Sequence, residues 1–199
     1  MNILIASFLV VSTLVTSIND SGYIEKFNES LRCTAESYNK LTENVELYSN
    51  LIESKELSPE ELGYLYHCRS VAYYYLEDFE KSEQDIDNAI SYLPEFPEPY
   101  INKGNIYAHN YDFGKAIEYY DKAISLNPGL STPYHDKAYV YTLINKPQEA
   151  LDNYSKAIEL DPEQSMSYRW RAIVYLSLGR LDDSLNDLNK AVSINYNDD

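Results

Sequence analysis

The sequence predicts an all-α solenoid of about five helical hairpins, chiefly because it repeats every 34 residues. Prolines keep this period at Pro94, Pro128 and Pro162. Alanines and tyrosines keep the same period in three further columns: Ala89, Ala123, Ala157 and Ala191; Tyr66, Tyr100, Tyr134 and Tyr168; Tyr73, Tyr107, Tyr141 and Tyr175. A period of this length, with aromatic and small residues at fixed offsets, is typical of helical repeat proteins.

Each period contains two amphipathic helices. In one copy the first helix carries Tyr100, Gly104 and Tyr107, and the second carries Ala116 and Tyr120, so apolar residues form one stripe per helix. One hairpin cannot bury two such stripes, and neighbouring hairpins are therefore expected to stack into a continuous core. The recurring tyrosines are expected to pack in that core. Tight turns inside the hairpins are predicted at 77–78, 110, 145–146 and 179–180.

The residues before these prolines resemble the tetratricopeptide repeat family. Residues 116–128 and 150–162 match the second helix of that repeat closely. The resemblance implies a right-handed superhelix in which each repeat is one helical hairpin. It divides the chain into repeats at 63–96, 97–130, 131–164 and 165–198, with a weaker copy at 25–58 and an insertion at 59–62.

The N-terminus has the pattern of an export signal. Residues 3–15 are apolar, a length that suits the core of a signal peptide and is short for a membrane span. Cleavage is expected after Ser17, which makes 1–17 the signal peptide and 18–24 a short linker in a periplasmic or secreted protein. The alternative is an uncleaved signal that anchors the chain in the membrane.

The cysteines, the charge and the missing motifs argue against several classes of function. Cys33 and Cys68 can form a disulfide in an oxidising compartment or remain two buried thiols. They lack the short spacing of metal-binding pairs, so no metal site is expected. A net charge of −16 argues against a nucleic-acid partner, because phosphates would be repelled. Without a catalytic motif, phosphate loop or dinucleotide fingerprint, we expect no enzymatic activity, cofactor or small-molecule substrate.

The resemblance implies that the first helices line a concave groove that receives a peptide or a helix of a partner protein. Aromatic side chains can anchor such a segment, and Asn amides can hydrogen-bond its backbone. The residues expected on the groove are Tyr64, His67, Asn102, Asn105, His109, His135, Tyr139, Arg169 and Trp170. Their neighbours Val71, Ile101 and Ile173 are expected to pack between first helices instead.

One class of ligand is not expected. Family members that bind the acidic C-termini of chaperones use Lys, Asn and Arg at set groove positions. Those positions hold Ile101, Asn105, Asp136, Met166 and Trp170, and only the asparagine fits. The resemblance implies that the second helices form the convex face, and their acidic side chains indicate either a solvated surface or a docking site for a basic partner. The alternative function is a structural subunit that self-associates through the ends of the solenoid.

Overall fold

A computed structural model describes residues 38–53 and 57–196 of the chain. These residues fall into two compact units, one ending at Leu93 and the other beginning at Pro94. The predicted signal peptide, the linker at 18–24 and Cys33 lie outside the described residues. All regular structure in the described ranges is helical, which confirms the predicted all-α class. None of the described helices is both long and apolar enough to span a membrane.

The N-terminal unit contains three described helices. They are α1 (Tyr38–Glu53), α2 (Pro59–Tyr75) and α3 (Phe79–Tyr92); α1 packs on α2, and α2 forms a hairpin with α3. The insertion at 59–62 is the first turn of α2, which explains the length of this helix, 17 residues. Ser58 begins it with a capping box: the Glu61 amide donates to Ser58 Oγ at 3.2 Å, and the Ser58 amide donates to Glu61 Oε2 at 2.6 Å.

The C-terminal unit contains three hairpins in succession. They are α4 (Pro97–His109) with α5 (Phe113–Leu126), α6 (Thr132–Leu143) with α7 (Pro147–Leu160), and α8 (Ser165–Ser177) with α9 (Leu181–Tyr196). Each second helix contacts the first helix of the next hairpin, and α4, α6 and α8 contact one another in order. The three first helices therefore share one surface of this unit.

The hairpin turns repeat the period in the backbone itself. Glu77, Tyr111, Asn145 and Gly179 have φ angles of 60°, 61°, 56° and 73° and are 34 residues apart. Only glycine adopts this left-handed conformation without steric cost, so the turns at the other three residues are mildly strained. Each turn is therefore set by its place in the repeat more than by the residue that occupies it.

The most deeply buried tyrosines differ from those that the period singled out. Tyr107 and Tyr141 are only partly buried, whereas Tyr120 and Tyr154 of the second helices are completely buried. Gly104 makes room for one of them, because a Cβ atom at this residue would lie 2.5 Å from Cε1 of Tyr120. Tyr141 packs against a buried cluster from its edge, because a fixed offset gives the direction of a side chain and not its depth.

A column of basic residues, not predicted from the sequence, ties the first helices to their neighbours. On α8, Arg171 Nε and Nη2 donate to the two oxygens of Asp187 at 2.7 and 2.8 Å, and Nη1 donates to Ser155 Oγ at 2.9 Å. The guanidinium also lies 5.8 Å from the ring centroids of Tyr168 and Tyr175. Buried Tyr168 and partly buried Tyr175 thus flank a cation.

The N-terminal unit contains the same arrangement three periods earlier. Arg69 donates to Asp85 at 2.7 and 2.8 Å and to Ser49 Oγ at 2.9 Å. Tyr66 and Tyr73 lie 5.5 and 5.8 Å from the Arg69 guanidinium. The Arg–Asp pair with two flanking tyrosines therefore occurs in both units.

The two repeats between them keep the positive charge but change its partner. Lys103 Nζ lies 5.3 Å from the ring centroid of Tyr119, and Lys137 Nζ donates to Asp121 at 2.5 Å. The column Arg69, Lys103, Lys137 and Arg171 has the 34-residue period and was readable in the sequence.

Candidate protein-binding surface

The predicted groove residues of the C-terminal unit lie on its three first helices. Asn102, Asn105 and His109 are on α4, His135 and Tyr139 on α6, and Arg169 and Trp170 on α8. We call the side of α4, α6 and α8 that carries these seven residues the first-helix surface. Their exposure and hydrogen bonds divide them into residues that hold the hairpins together and residues that remain accessible.

Asn105 holds helices together. Its Oδ1 accepts a hydrogen bond from the buried Tyr120 hydroxyl at 2.7 Å, and its side chain also hydrogen-bonds Asp136 of the next first helix. Burial raises the pKa of Asp136 to about 7, although the hydrogen bond from Asn105 lowers it. The amide that was predicted to bind a peptide backbone is thus engaged inside the unit.

His135 is engaged in the same way. Its Nδ1 lies 2.8 Å from Oγ of Ser167, whose hydroxyl hydrogen-bonds Gln164. Because the Ser167 proton is directed to Gln164, the hydrogen bonds fit a neutral imidazole that donates from Nδ1. Burial lowers the pKa of His135 to about 4. The ring therefore links α6 to α8 as a neutral group at physiological pH.

Tyr139 and Trp170 form an aromatic pair between α6 and α8. Their ring centroids are 4.9 Å apart and the rings meet edge to face at 70°. Trp170 also packs against the buried cluster that contains Leu151, Tyr154 and Val174. It is therefore part of the core on one side and part of the first-helix surface on the other.

One accessible part of the surface lies on one face of α8. Met166, Arg169 and Ile173 are exposed, and together with Trp170 they follow the three-and-four spacing of one helix face. Arg169 Nη1 lies 3.5 Å from Met166 Sδ. Ile173 was expected to be packed, and that expectation is wrong. Ile101 of α4, by contrast, is buried.

Two more of the predicted groove residues in this unit are accessible on α4. His109 is exposed at the end of the helix, and Asn102 is partly exposed in its middle. The first-helix surface therefore offers polar groups on α4 and an apolar and cationic face on α8.

The predicted groove residues of the N-terminal unit are less accessible. Tyr64 is partly buried on α2, and burial lowers the pKa of His67 to about 4. Cys68 is buried as well. Burial therefore keeps the His67 ring neutral near pH 6.5, as it does the His135 ring of the other unit.

The described residues contain no group of three or more His, Cys, Asp or Glu side chains placed to hold a metal ion. The chemistry on the first-helix surface is that of recognition: an aromatic pair, exposed apolar side chains, a guanidinium and an amide. Such groups anchor apolar side chains of a partner and bind its carbonyl or carboxylate oxygens.

Comparisons with known proteins agree with this architecture. Models of the tetratricopeptide repeat match residues 97–130, 132–164 and 153–186. None of the curated proteins matches the chain in sequence. A crystal structure of MamA has a TM-score of 0.68 and 15% identity, and the alignment covers 91% of this chain and 98% of that one. A MamA structure, residues 41 to the end, from Desulfovibrio magneticus RS-1 has a TM-score of 0.65 and 15% identity, with 92% and 99% covered.

At this level of identity the MamA structures show a shared fold and nothing further. The matched repeats account for the hairpins from α4 to the start of α9. With these matches, the chain belongs to the tetratricopeptide repeat family.

Proposed function

We propose that the protein is a non-catalytic binding module that holds a segment of a partner protein on the first-helix surface of its C-terminal unit. The family to which it belongs binds proteins, and that supports the general role. The observation that carries the location is the face of α8, where exposed Met166, Arg169 and Ile173 adjoin the half-buried Tyr139–Trp170 pair. Exposed apolar side chains around an aromatic pair and an arginine are the usual composition of a binding hot spot.

This composition defines the segment that would bind. An apolar side chain of the partner would cover Tyr139 and Trp170, and Arg169 would bind a neighbouring backbone carbonyl or carboxylate. Asn102, partly exposed on α4, would hydrogen-bond the partner's backbone further along. Asn105 and His135 would support the surface from below, since their polar atoms already hydrogen-bond within the unit.

The test is a selection of peptides followed by titration of matched variants. Peptides of about 12 residues, long enough to cross three helices, would be selected from a random library against the full chain. Their affinity would be measured by calorimetry for the unmodified chain and for Arg169→Ala and Asn102→Ala. These two positions are accessible, so their loss should leave the fold intact. We expect Arg169→Ala to weaken binding about tenfold or more.

Acidic residues of the second helices provide the control. Glu118 and Asp152 are exposed on α5 and α7, away from the first-helix surface. Charge reversal at either position should leave affinity within about threefold, because exposed charges outside an interface contribute little. If peptides still bind the Arg169→Ala and Asn102→Ala variants but no longer bind after charge reversal of Glu118 and Asp152, the site lies on the acidic face instead.

We also propose that the protein acts outside the cytosol, on the basis of the apolar run at residues 3–15. Sequencing of the mature N-terminus from the native host should find Ile18 or a residue close to it. Full-length chain recovered from the cytosol would contradict export. A Cys33–Cys68 disulfide, which needs an oxidising compartment, would be sought in the same sample by mass spectrometry before and after reduction.

A further inference from the structure

The last helix, α9, presents an apolar strip to solvent. Leu181, Leu185, Leu188 and Val192 are 64%, 58%, 44% and 54% exposed. Their spacing of four, three and four residues places them on one face of the helix. The neighbouring face, with Ala191 and Ile194, is buried. The helix is therefore apolar on two faces, of which only one is covered.

The corresponding face of the previous second helix shows what normally covers such a strip. One period earlier the positions are Pro147, Leu151, Tyr154 and Ile158 of α7. Leu151 and Tyr154 are buried in a cluster with Val174 of α8, and Ile158 packs against a cluster that contains Tyr168 of the same helix. A helix of the next hairpin covers this face inside the unit. On α9 the same stacking face is exposed.

The spacing of four, three and four residues along the strip is the same in either direction along the helix. When a second copy of α9 is turned antiparallel about a two-fold axis, Leu181 lies opposite the other copy's Val192, and Leu185 lies opposite the other copy's Leu188. A patch with this symmetry is complementary to itself, which is the requirement for a closed dimer interface. The four residues need no different partner surface to be covered along their full length.

Charge favours the same occupant. The chain has a net charge of −16, so two copies that approach through most surfaces bring carboxylates together. The strip itself has no ionisable side chain; beside it lie neutral Asn189 and one carboxylate, Asp182. Copies can therefore meet here with less repulsion than on surfaces that carry several carboxylates.

We propose that the exposed strip of α9 is the interface for a second copy of the chain, with the two α9 helices antiparallel. The proposal does not depend on the first-helix surface. Arg169→Ala, which tests that surface, should leave the dimer unchanged.

Sedimentation equilibrium of the full chain from about 1 to 100 μM provides the test. The unmodified chain should reach twice the monomer mass of 23.0 kDa, with no larger species. Leu185→Glu buries a charge against Leu188 of the other copy and should weaken dimerisation about tenfold or more. Leu143→Glu, at a comparably exposed leucine at the end of α6, should dimerise like the unmodified chain.

Cross-linking gives a second readout that does not rely on a charged variant. Leu185→Cys mixed with Leu188→Cys should form a disulfide between copies under mild oxidation, because the antiparallel arrangement places these positions opposite each other. If the protein stays monomeric across the whole concentration range, the proposal is overturned. This holds also for a monomer in which another part of the same chain covers the strip. A dimer that Leu185→Glu leaves intact, or that does not cross-link, also overturns it.

Discussion

Removal of Arg171 tests the interaction that ties α8 to its neighbours. Its side chain is 17% exposed, and that of Asp187 is 8% exposed. Arg171→Met keeps most of the apolar stem, which lies between Tyr168 and Tyr175, but deletes the two hydrogen bonds to Asp187 and the one to Ser155. A carboxylate left buried without its cation should lower the free energy of unfolding by about 3–5 kcal/mol.

The chain carries its own probe for this measurement. Trp170 is the only tryptophan and precedes Arg171 on α8, so its fluorescence reports unfolding at the site of the change. The urea midpoint of Arg171→Met should fall, and the slope of the transition should be unchanged. The double variant Arg171→Met/Asp187→Leu should regain much of the loss, because no buried charge then remains.

An exposed ion pair supplies the comparison. Lys156 and Glu159 are 2.7 Å apart, with side chains 39% and 68% exposed. Lys156→Met should change the free energy of unfolding by at most about 1 kcal/mol. Equal midpoints for Arg171→Met and Lys156→Met would refute the structural role assigned to the basic column.

Three further predictions concern pH, packing and capping. Asp136→Asn should raise the free energy of unfolding at pH 8 by about 1 kcal/mol or more and have no such effect near pH 4. The Asp136 carboxyl of the folded protein stays protonated up to about pH 7, so the unmodified protein loses stability as pH rises from about 4 through 7. Gly104→Ala should destabilise by about 1–2 kcal/mol in urea unfolding, since overpacking against Tyr120 outweighs the better helix propensity of alanine. Lys146→Asp with Glu149→Lys should stabilise α7 by about 1 kcal/mol in the same assay, because it creates the N-terminal cap that this helix lacks.

Each of these has an outcome that would contradict it. A pH-independent gain for Asp136→Asn would mean that the carboxyl titrates normally in the folded protein. A Gly104→Ala variant as stable as the unmodified chain would mean that the Tyr120 ring can move aside at little cost. The capping variant has a model in the chain itself: Asp112 accepts from the Lys115 amide and pairs with the Lys115 side chain at 3.1 Å. A loss of stability on copying this pair would contradict its role as a cap.

The sequence predicted the hairpins well because the physics of the repeat is local and periodic. Proline, small residues and apolar stripes determine where helices end and which faces they bury. The turns were located for the same reason: the left-handed residues at Glu77, Asn145 and Gly179 fall within the predicted segments, and Tyr111 follows the residue predicted.

The properties of individual side chains were harder to predict. Periodicity shows that the residues of a column face the same direction, but the depth of burial depends on the neighbouring helix. Tyr107 is half-buried for this reason, whereas Tyr120 is completely buried next to Gly104. The basic column was not predicted, because the recognised signal of a helical repeat is the period of its apolar and small residues. Arg171 recurs with the same regularity and lies between the tyrosines whose recurrence was noticed.

The first-helix surface could be predicted only in part. Its location follows from the alternation of first and second helices, but the engagement of Asn105 and His135 depends on contacts with Tyr120 and Ser167 that no local pattern reveals. The exposure of Ile173 likewise depends on a neighbouring helix and not on the local sequence. In an internal repeat this position adjoins the next first helix, as Tyr139 adjoins Trp170. Trp170 itself is a poor choice for alanine substitution, because its loss would also open the core at a cost of about 3–5 kcal/mol.

The measurement that tests the proposed function most directly is site-specific photocross-linking of a selected peptide. A benzophenone amino acid would replace exposed Met166 or His109 on the first-helix surface, and Glu118 or Asp152 on the second helices, one position at a time. Binding on the first-helix surface predicts cross-links from positions 166 and 109 and none from 118 or 152. Cross-links confined to positions 118 and 152 would contradict the account and place the partner on the acidic face.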